Sequence, residues 1–352
     1  MLNSEQMINK FFGLFSHDIG IDLGTANTLV YVRGKGILIR EPSVVTIHKK
    51  TKEVLAVGSE AKRMLGKTPQ TIQAIRPLRD GVISDFYVAE KMIEYFIKAV
   101  HDVPSKFPKV PRPRVVLGVP SGITSVERKA VVDATRNAGA RLAYLIEEPM
   151  AASIGAGLPV QEPMGTMIVD MGGGTAEIAV ISLGGIVINK SLRIAGDEMD
   201  TAIVNHAKEK FNLLLGERTA EEIKLTVGSA MEFDGEDEIE ATFRGRDLRT
   251  GLPKSIKVSA ADIREALKEP VTMIVESIKD AIEETPPELV PDILKNGIVL
   301  AGGTSLLRNL DKLLEKETNV PVRVAKDPMT CVVRGCGIVL DDLDLLARVR
   351  IT

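Results

Sequence analysis

The sequence predicts an α/β protein made of two duplicated lobes, and three observations carry that expectation. Strand-like and helix-like stretches alternate along the chain. The run Ile19-Gly20-Ile21-Asp22-Leu23-Gly24-Thr25 returns in kind as Met167-Ile168-Val169-Asp170-Met171-Gly172-Gly173-Gly174-Thr175, with the two aspartates 148 positions apart. A single repeat of that length marks a duplicated domain, since solenoid periods are only about 20–50 residues. The length of 352 residues suits two domains at roughly 150 residues each.

The elements follow in order. Ile19–Asp22, Thr28–Val32, Ile37–Ile39 and Val44–Ile47 are β-branched runs. The turn Gly34-Lys35-Gly36 punctuates them as hairpins. Apolar residues at 88, 92, 95, 96, 99 and 100 give residues 87–101 a helical period. A proline-rich basic loop runs from Val103 to Arg114, and the apolar strand Val115–Val119 precedes a helix over about 124–138. Strand Leu142–Ile146 and a small-residue helix from Pro149 close the first half. The second half starts again at Met167, with helices predicted at about 197–211, 219–228 and 260–284. Like charges in Glu232–Glu240 predict a solvated loop.

Composition excludes several classes. Lys and Arg total 45 against 48 Asp and Glu, a net charge of −3, so no basic face is built to coat nucleic acid. Cys331 and Cys336, the two cysteines, rule out a disulfide framework and make a poor zinc site without a second ligand pair. A reducing cytoplasm fits best. No run of 18 apolar residues predicts a membrane-spanning helix. The apolar N-terminal stretch is broken by Asn9 and Lys10, which excludes a secretory signal.

Three glycine turns carry the chemistry, at Gly24, at Gly172–Gly174 and at Gly302-Gly303, each placed where a strand ends. Glycine admits positive φ and close backbone approach, and successive N–H groups then form an anion-binding concavity. Two such turns, one from each half, would clamp the phosphates of a nucleotide. Asp22 and Asp170 would hold Mg²⁺ through its waters, as a cation that prefers oxygen and keeps its hydration. A single turn of this kind is more readily a plain tight hairpin; it is the repetition that points to phosphate. The turns join strand to strand rather than strand to helix, which sets them apart from P-loop and dinucleotide patterns.

The segments DLGTANT (22–28), EEPMAASIGAG (147–157), DMGGGTAEIAV (170–180) and LAGGTSLL (300–307) resemble the two phosphate motifs, connecting helix and adenosine motif of the actin–Hsp70–sugar kinase superfamily. Within it, IREPSVV (39–45), GKTP (66–69), AIRPLRDGVISDF (74–86), VPSG (119–122), NAGAR (137–141) and IEETPPEL (282–289) resemble the MreB family of bacterial actins. The resemblance covers essentially the whole chain in order. It implies an actin-like fold of two ribonuclease-H-like lobes with a nucleotide cleft between them. The lobes would be 17–152 with 329–352, and 153–328, carrying small subdomains at about 34–79 and about 193–254.

The resemblance also implies roles. Glu148 matches the carboxylate that orients the attacking water, and Thr175 a threonine that helps place it; a carboxylate so aimed can accept the water's proton. By residue type alone, Glu148 would sooner complement a helix dipole, and Thr175 could cap its own turn. Gly24, Thr25, Ala26 and Asn27 line up with the first phosphate loop, and Gly172, Gly173 and Gly174 with the second. Glu221 and Lys224 match ribose and adenine contacts, although their spacing alone suits a surface i,i+3 pair. Gly302, Gly303 and Thr304 would border the adenosine. Three departures stand out: Ala176 where a second threonine is usual, AGGTS instead of three glycines in a row, and Ala195 where glycine is common. They bear on hydrolysis rate and nucleotide preference.

Aromatic residues are only 4% of the chain, yet three of its nine phenylalanines are Phe11, Phe12 and Phe15. Wound as a helix, residues 1–16 place Met7, Ile8, Phe11, Phe12, Leu14 and Phe15 within an arc of about 160°. The stretch is either a terminal helix docked on its own core or an amphipathic membrane anchor. Its Phe-rich face and its place before the first core strand favour the anchor, as does the resemblance. A short helix binds lipid weakly, so a second contact or many copies are needed. The loop around Phe107 corresponds to a membrane-inserting loop in the family, though alone it would pass for a solvated connector.

The expected protein is therefore an ATP-dependent, bacterial actin-like polymer of paired protofilaments with slow, polymerisation-coupled ATP hydrolysis. By the resemblance it lies on the inner face of the cell membrane, with lipid and membrane proteins of the cell-elongation machinery as partners, and organises cell-wall synthesis and shape. The rivals are a small-molecule kinase of the same superfamily, whose sugar-side base and substrate loops are not found, and a non-hydrolysing nucleotide-bound scaffold. A chaperone of the Hsp70 type would need a peptide-binding domain beyond the third motif.

Overall fold

A computed structural model describes residues 16–101 and 112–351. The anchor residues Met7, Ile8, Phe11, Phe12 and Phe15, and Phe107 of the basic loop, lie outside them. The described chain forms two compact units: one runs from the first described residue to Gln161 and resumes at Thr330, and the other is Glu162–Met329.

In the first unit, β1 (Ile19–Leu23), β2 (Asn27–Val32) and β3 (Gly36–Pro42) form an antiparallel meander. A small sheet follows, β5-β4-β6, made of β4 (Val45–His48), β5 (Val54–Val57) and β6 (Ile72–Ile75), with α1 (Ser59–Met64) between the last two. The hairpin of β7 (Leu78–Arg79) and β8 (Val82–Ile83) leads to α2 (Phe86–His101). Then come β9 (Arg114–Val119), α3 (Ser125–Asn137), β10 (Leu142–Glu147) and α4 (Glu148–Gly155). β9 and β10 join β1 in parallel, giving the order β10-β9-β1-β2-β3. Thr124 and Glu127 start α3 with reciprocal hydrogen bonds that satisfy its free N–H groups.

The helix over 87–101 forms, but its buried stripe is Val88, Ala89, Met92, Ile93, Phe96, Ile97 and Val100. Tyr95 and Ala99, which the sequence pattern assigned to that stripe, are exposed. Pairs spaced i, i+3/i+4 stay on one face, and the 92–93, 96–97 set tracks that face better than 95 and 99.

The second unit repeats the plan. β11 (Thr166–Met171), β12 (Ala176–Ser182) and β13 (Gly185–Leu192) form the meander. After them come α5 (Gly196–Phe211), β14 (Leu213–Leu214), α6 (Glu217–Val227), β15 (Glu240–Asp247), β16 (Pro253–Ser259), α7 (Ala260–Glu283) and α8 (Val290–Asn296). β17 (Ile298–Ala301), α9 (Leu310–Thr318) and β18 (Val322–Val324) follow. The main sheet has the order β13-β12-β11-β17-β18, with β17 and β18 parallel. Read from the parallel edge, this is the order of the first unit, so the duplication foreseen from the two Asp-Gly segments is present strand by strand. β11 and β17 are buried throughout, and Met167–Val169 and Ile298–Ala301 within them read as apolar runs, as centre strands covered on both faces do. The Glu232–Glu240 stretch is more structured than a solvated loop: it holds a 3-10 turn at Glu236–Glu238, and Arg264 of α7 pairs with Glu236.

The chain then returns to the first unit. α10 (Cys331–Asp341) packs on α4 and on β1, and α11 (Leu343–Val349) follows it. The approach is backbone to backbone. A Cβ on Gly155 would stand 1.8 Å from the Cys331 carbonyl oxygen, and one on Gly335 would stand 1.9 Å from that of Ala151.

Candidate functional site: an Asp-Gly turn in each unit

In the first unit β1 delivers Asp22 to its end, and the chain reverses through Gly24–Ala26 into β2. A Cβ at Gly24 would lie 2.7 Å from the Asn27 carbonyl oxygen, so only glycine closes this turn. Buried Ser43 holds the turn from behind. Its hydroxyl donates to the Gly24 carbonyl at 2.5 Å and its N–H donates to the Ala26 carbonyl at 3.0 Å. The Ser43 proton being spent there, Thr28 donates its own hydroxyl to Ser43, at 2.8 Å. Thr25 accepts the Gly81 N–H at 3.0 Å and keeps its hydroxyl proton for another acceptor.

A trans peptide points its C=O and N–H to opposite sides. With the Gly24 and Ala26 carbonyls turned toward Ser43, the amides of Thr25 and Asn27 face the other way. That is the arrangement an anion requires.

Glu148 is the first residue of α4, and it is buried. Gly118 of β9 lies opposite Asp22 on one side and Ile146 on the other. A Cβ at Gly118 would come within 3.5 Å of Glu148 Cγ. Asp22 and Glu148 thus flank one glycine at neighbouring strand ends. Burial raises the Asp22 carboxyl from 3.8 to about 7. The buried Cys336 thiol is pushed well up by burial first and then by the charges of Asp22 and Glu148, which keeps it protonated and unreactive.

In the second unit the Gly172–Gly174 turn joins β11 to β12, and the Gly172 N–H closes it on the Thr175 carbonyl at 2.9 Å. Buried Asp170 and Thr175 stand on either side of it. The Gly172 carbonyl accepts the Thr304 hydroxyl at 2.7 Å and the Gly196 N–H at 3.3 Å, and the Gly173 carbonyl accepts the Asp197 N–H at 2.7 Å. The same peptide geometry turns the Gly173 and Gly174 amides outward.

The third turn sits against the second. Ala301 pairs with Asp170, and Gly302 has φ +79°. A Cβ at Gly302 would be 2.2 Å from the Met171 carbonyl oxygen and 2.8 Å from Asp170 Oδ1. Against the strand-to-strand expectation, and unlike the first two turns, this one leads into a 3-10 turn, Thr304–Leu306, and then α9. Gly303 follows Gly302 directly. Glu221 and Lys224 share α6. Lys224 is not an exposed partner of a surface pair: its ammonium donates to the Gly196 carbonyl at 2.6 Å and meets Asp200 Oδ1 at 2.9 Å. Burial raises Asp200 to about 6, against the pull of Lys224.

The structure therefore gathers Asp22, Gly24, Thr25, Ala26, Asn27 and Glu148 in the first unit. Asp170, Gly172–Thr175, Lys224 and Gly302–Thr304 gather in the second, with Glu221 one turn before Lys224. Sequence reasoning missed Ser43 and Asp200. Ser43 lies within the quoted IREPSVV segment, a positional signal that did not reveal its task. His206, Asp262 and Glu265 also cluster, but the Lys210 ammonium already sits on both carboxylates, at 2.9 and 2.7 Å.

The family model for MreB/Mbl protein matches residues 16–348. The chain belongs to the MreB/Mbl family. It is 54% identical over 343 residues to the cell shape-determining protein MreB of Escherichia coli strain K12, covering 96% of this chain and 97% of that one. It is 49% identical over 339 residues to the cell shape-determining protein Mbl of Bacillus subtilis strain 168, covering 96% of this chain and 100% of that one. The fold matches MreB5 of Spiroplasma citri bound to ADP with a TM-score of 0.87 and 36% identity, over 93% of this chain and 97% of that one. It also matches the double helical filament form of MamK with a TM-score of 0.77, over 93% of this chain and 99% of that one. At 23% identity, that second likeness speaks for the actin-like fold alone.

Proposed function

We propose that this MreB/Mbl chain is an ATP-binding, filament-forming protein of the cell-shape system that hydrolyses ATP slowly as it assembles. The observation that carries this is the matched pair of Asp-Gly turns, each tied from behind so that two amides face outward. An MreB relative crystallised with ADP, and the same relative with AMPPNP, support the nucleotide reading. ATP would be the ligand whose phosphates a turn of this kind accepts. Asp22 and Asp170 offer only hard oxygen donors at the ends of β1 and β11, which fits Mg²⁺ held through water. The raised Asp22 carboxyl fits too, since a divalent cation is the counter-charge that would ionise it. Bound there, Mg²⁺ would neutralise phosphate charge. Glu148 would orient a water toward the γ-phosphate and hold its proton, and Thr175 would help place that water.

Membrane attachment through residues 1–16 and the loop around Phe107 belongs to the same proposal. One contact supports it. Ser16, just after the first segment, lies 3.3 Å from His101 Nε2, just before the second; the His17 N–H donates to that nitrogen at 3.0 Å, and Arg112, just after the loop, donates its N–H to Ser16 at 3.2 Å. The described residues that flank the two apolar segments thus meet in the first unit, which supports reading the segments as one weak foot multiplied along a polymer. No helix among the described residues is long and apolar enough to cross a membrane.

The test is electron microscopy with lipid vesicles and ATP, alongside phosphate release. Full-length protein should form filaments on vesicles. A chain lacking residues 1–16 should stay folded and lose the lipid. Glu148→Ala should release phosphate at least about tenfold more slowly while still binding ATP. Equal release would favour the non-hydrolysing scaffold, and robust phosphotransfer to sugars would favour a kinase.

A further inference from the structure

The two phosphate-type turns are restrained in the same way by side chains that no motif comparison assigns to that task. Gly24 and Gly172 are equivalent in the repeat, each two residues after its aspartate. Each offers its carbonyl to a hydroxyl from a remote segment: Ser43 Oγ at 2.5 Å and Thr304 Oγ1 at 2.7 Å. We infer that Ser43 and Thr304 are a matched pair of positioning residues, which orient the phosphate-binding amides without touching the nucleotide; the inference rests on the ATP reading above.

The physical need is plain in the second unit. Three consecutive glycines have no Cβ to narrow their φ and ψ, so the turn does not hold one set of peptide planes by itself. Two of its carbonyls are fixed from outside, Gly172 by Thr304 and Gly196, and Gly173 by Asp197. Fixing the Gly172 carbonyl fixes the direction of the Gly173 N–H, because both belong to one planar peptide.

Thr304 is itself held firmly. Ser305 donates its hydroxyl to the Gly302 carbonyl at 2.6 Å, and the Gly302 N–H donates to the Pro328 carbonyl at 3.0 Å. The space around it is full: a Cβ on Gly196 would stand 3.1 Å from Thr304 Oγ1 and 3.3 Å from Lys224 Nζ. The one hydroxyl proton of Thr304 is committed to Gly172, so the side chain expected to border adenosine instead joins the third glycine turn to the second. This chain carries the hydroxyl where the family pattern runs to a third glycine. In the first unit Ser43, fully buried, does the same work with both its hydroxyl and its N–H.

The test compares ADP with adenosine as probes, in the presence of Mg²⁺, on full-length protein. Thr304→Val keeps the shape and removes the donor. It should weaken ADP binding about three- to tenfold, the range expected for one lost hydrogen bond. Adenosine affinity should change less than about twofold, and Thr304→Ser should restore ADP binding. Ser43→Ala should show the same selective loss, and Thr304→Ala replaces the valine variant if thermal melting shows that valine disturbs the fold. Parallel losses for ADP and adenosine would mean that Thr304 is a nucleoside contact or a general packing residue, and would overturn the inference. Unchanged ADP binding in both donor-less variants would overturn it as well. Wild-type protein that binds no ADP would instead remove the ATP reading, and the inference with it.

Discussion

Burial lifts the Asp22 carboxyl to about 7, and the consequence for stability has a definite sign. The unfolded carboxyl titrates at 3.8, so between about pH 4 and pH 7 the folded chain binds more protons than the unfolded one. Stability contributed by this group is full below that window and is lost as pH rises through it. Asp200, raised to about 6, acts in the same direction. Nucleotide-free protein should therefore unfold at lower urea at pH 8 than at pH 5, and Asp22→Asn should flatten part of that slope. An unchanged slope in the variant would remove Asp22 as its source. Asp22 and Asp170 stand out in the sequence because their motif is local, strand, acid and glycine turn, whereas Glu148 stands out only through the family resemblance, a helix start after a strand reading by itself as a dipole complement. Ser43 and Thr304 were not, because a hydroxyl's choice of a carbonyl 19 or 132 residues away is made by tertiary structure. Lys224 was legible as a residue of interest but not in its partners, since the Asp200 and Gly196 groups lie on another helix.

At the scale of elements, the closest packing in the first unit is the crossing of α4 and α10. Gly335 and Gly155 let the two backbones touch, and any side chain there must separate the helices. Gly335→Ala should cost about 3 kcal/mol in urea unfolding, the upper end of overpacking penalties. Because Glu148 opens α4, the variant should also lower phosphate release more than its loss of stability explains. Release that simply tracks the folded fraction would show that the crossing is structural alone. The sequence revealed α4 as a small-residue helix and left its partner unidentified, since nothing local couples Gly155 to Gly335. The α2 stripe failed at Tyr95 and Ala99 for a related reason: a helix carries more apolar residues than its neighbours can cover, and the exposed ones look the same in one dimension.

At the scale of the whole molecule, the duplication was readable from two short segments, and the strand orders of the two main sheets bear it out. The chain's return came from the resemblance, which assigns 329–352 to the first lobe, and not from local pattern: residues from Thr330 onward belong to the first unit. Glu162–Met329 owns its sheet and its core, from Met167 through Phe243 to Leu314. That segment expressed alone should fold cooperatively, as seen by circular dichroism and a single unfolding transition. A chain stopped at Met329 should retain that transition and lose the one belonging to the first unit. A molten 162–329 fragment would show that its core depends on the other unit.

The late return of α10 also sets an order of events on the ribosome. β1, β2 and α4 are made early, and the side of them that α10 covers, including Gly20, Tyr31 and Ala151, has no cover until the chain has grown past Cys336 and Gly337. At about 5–20 residues per second, synthesis of the intervening unit takes on the order of ten seconds or more. For that interval the nascent first unit shows an uncovered apolar face, while the second can complete itself. The first unit is thus kept from completing itself until α10 has been made, long after its own first strands.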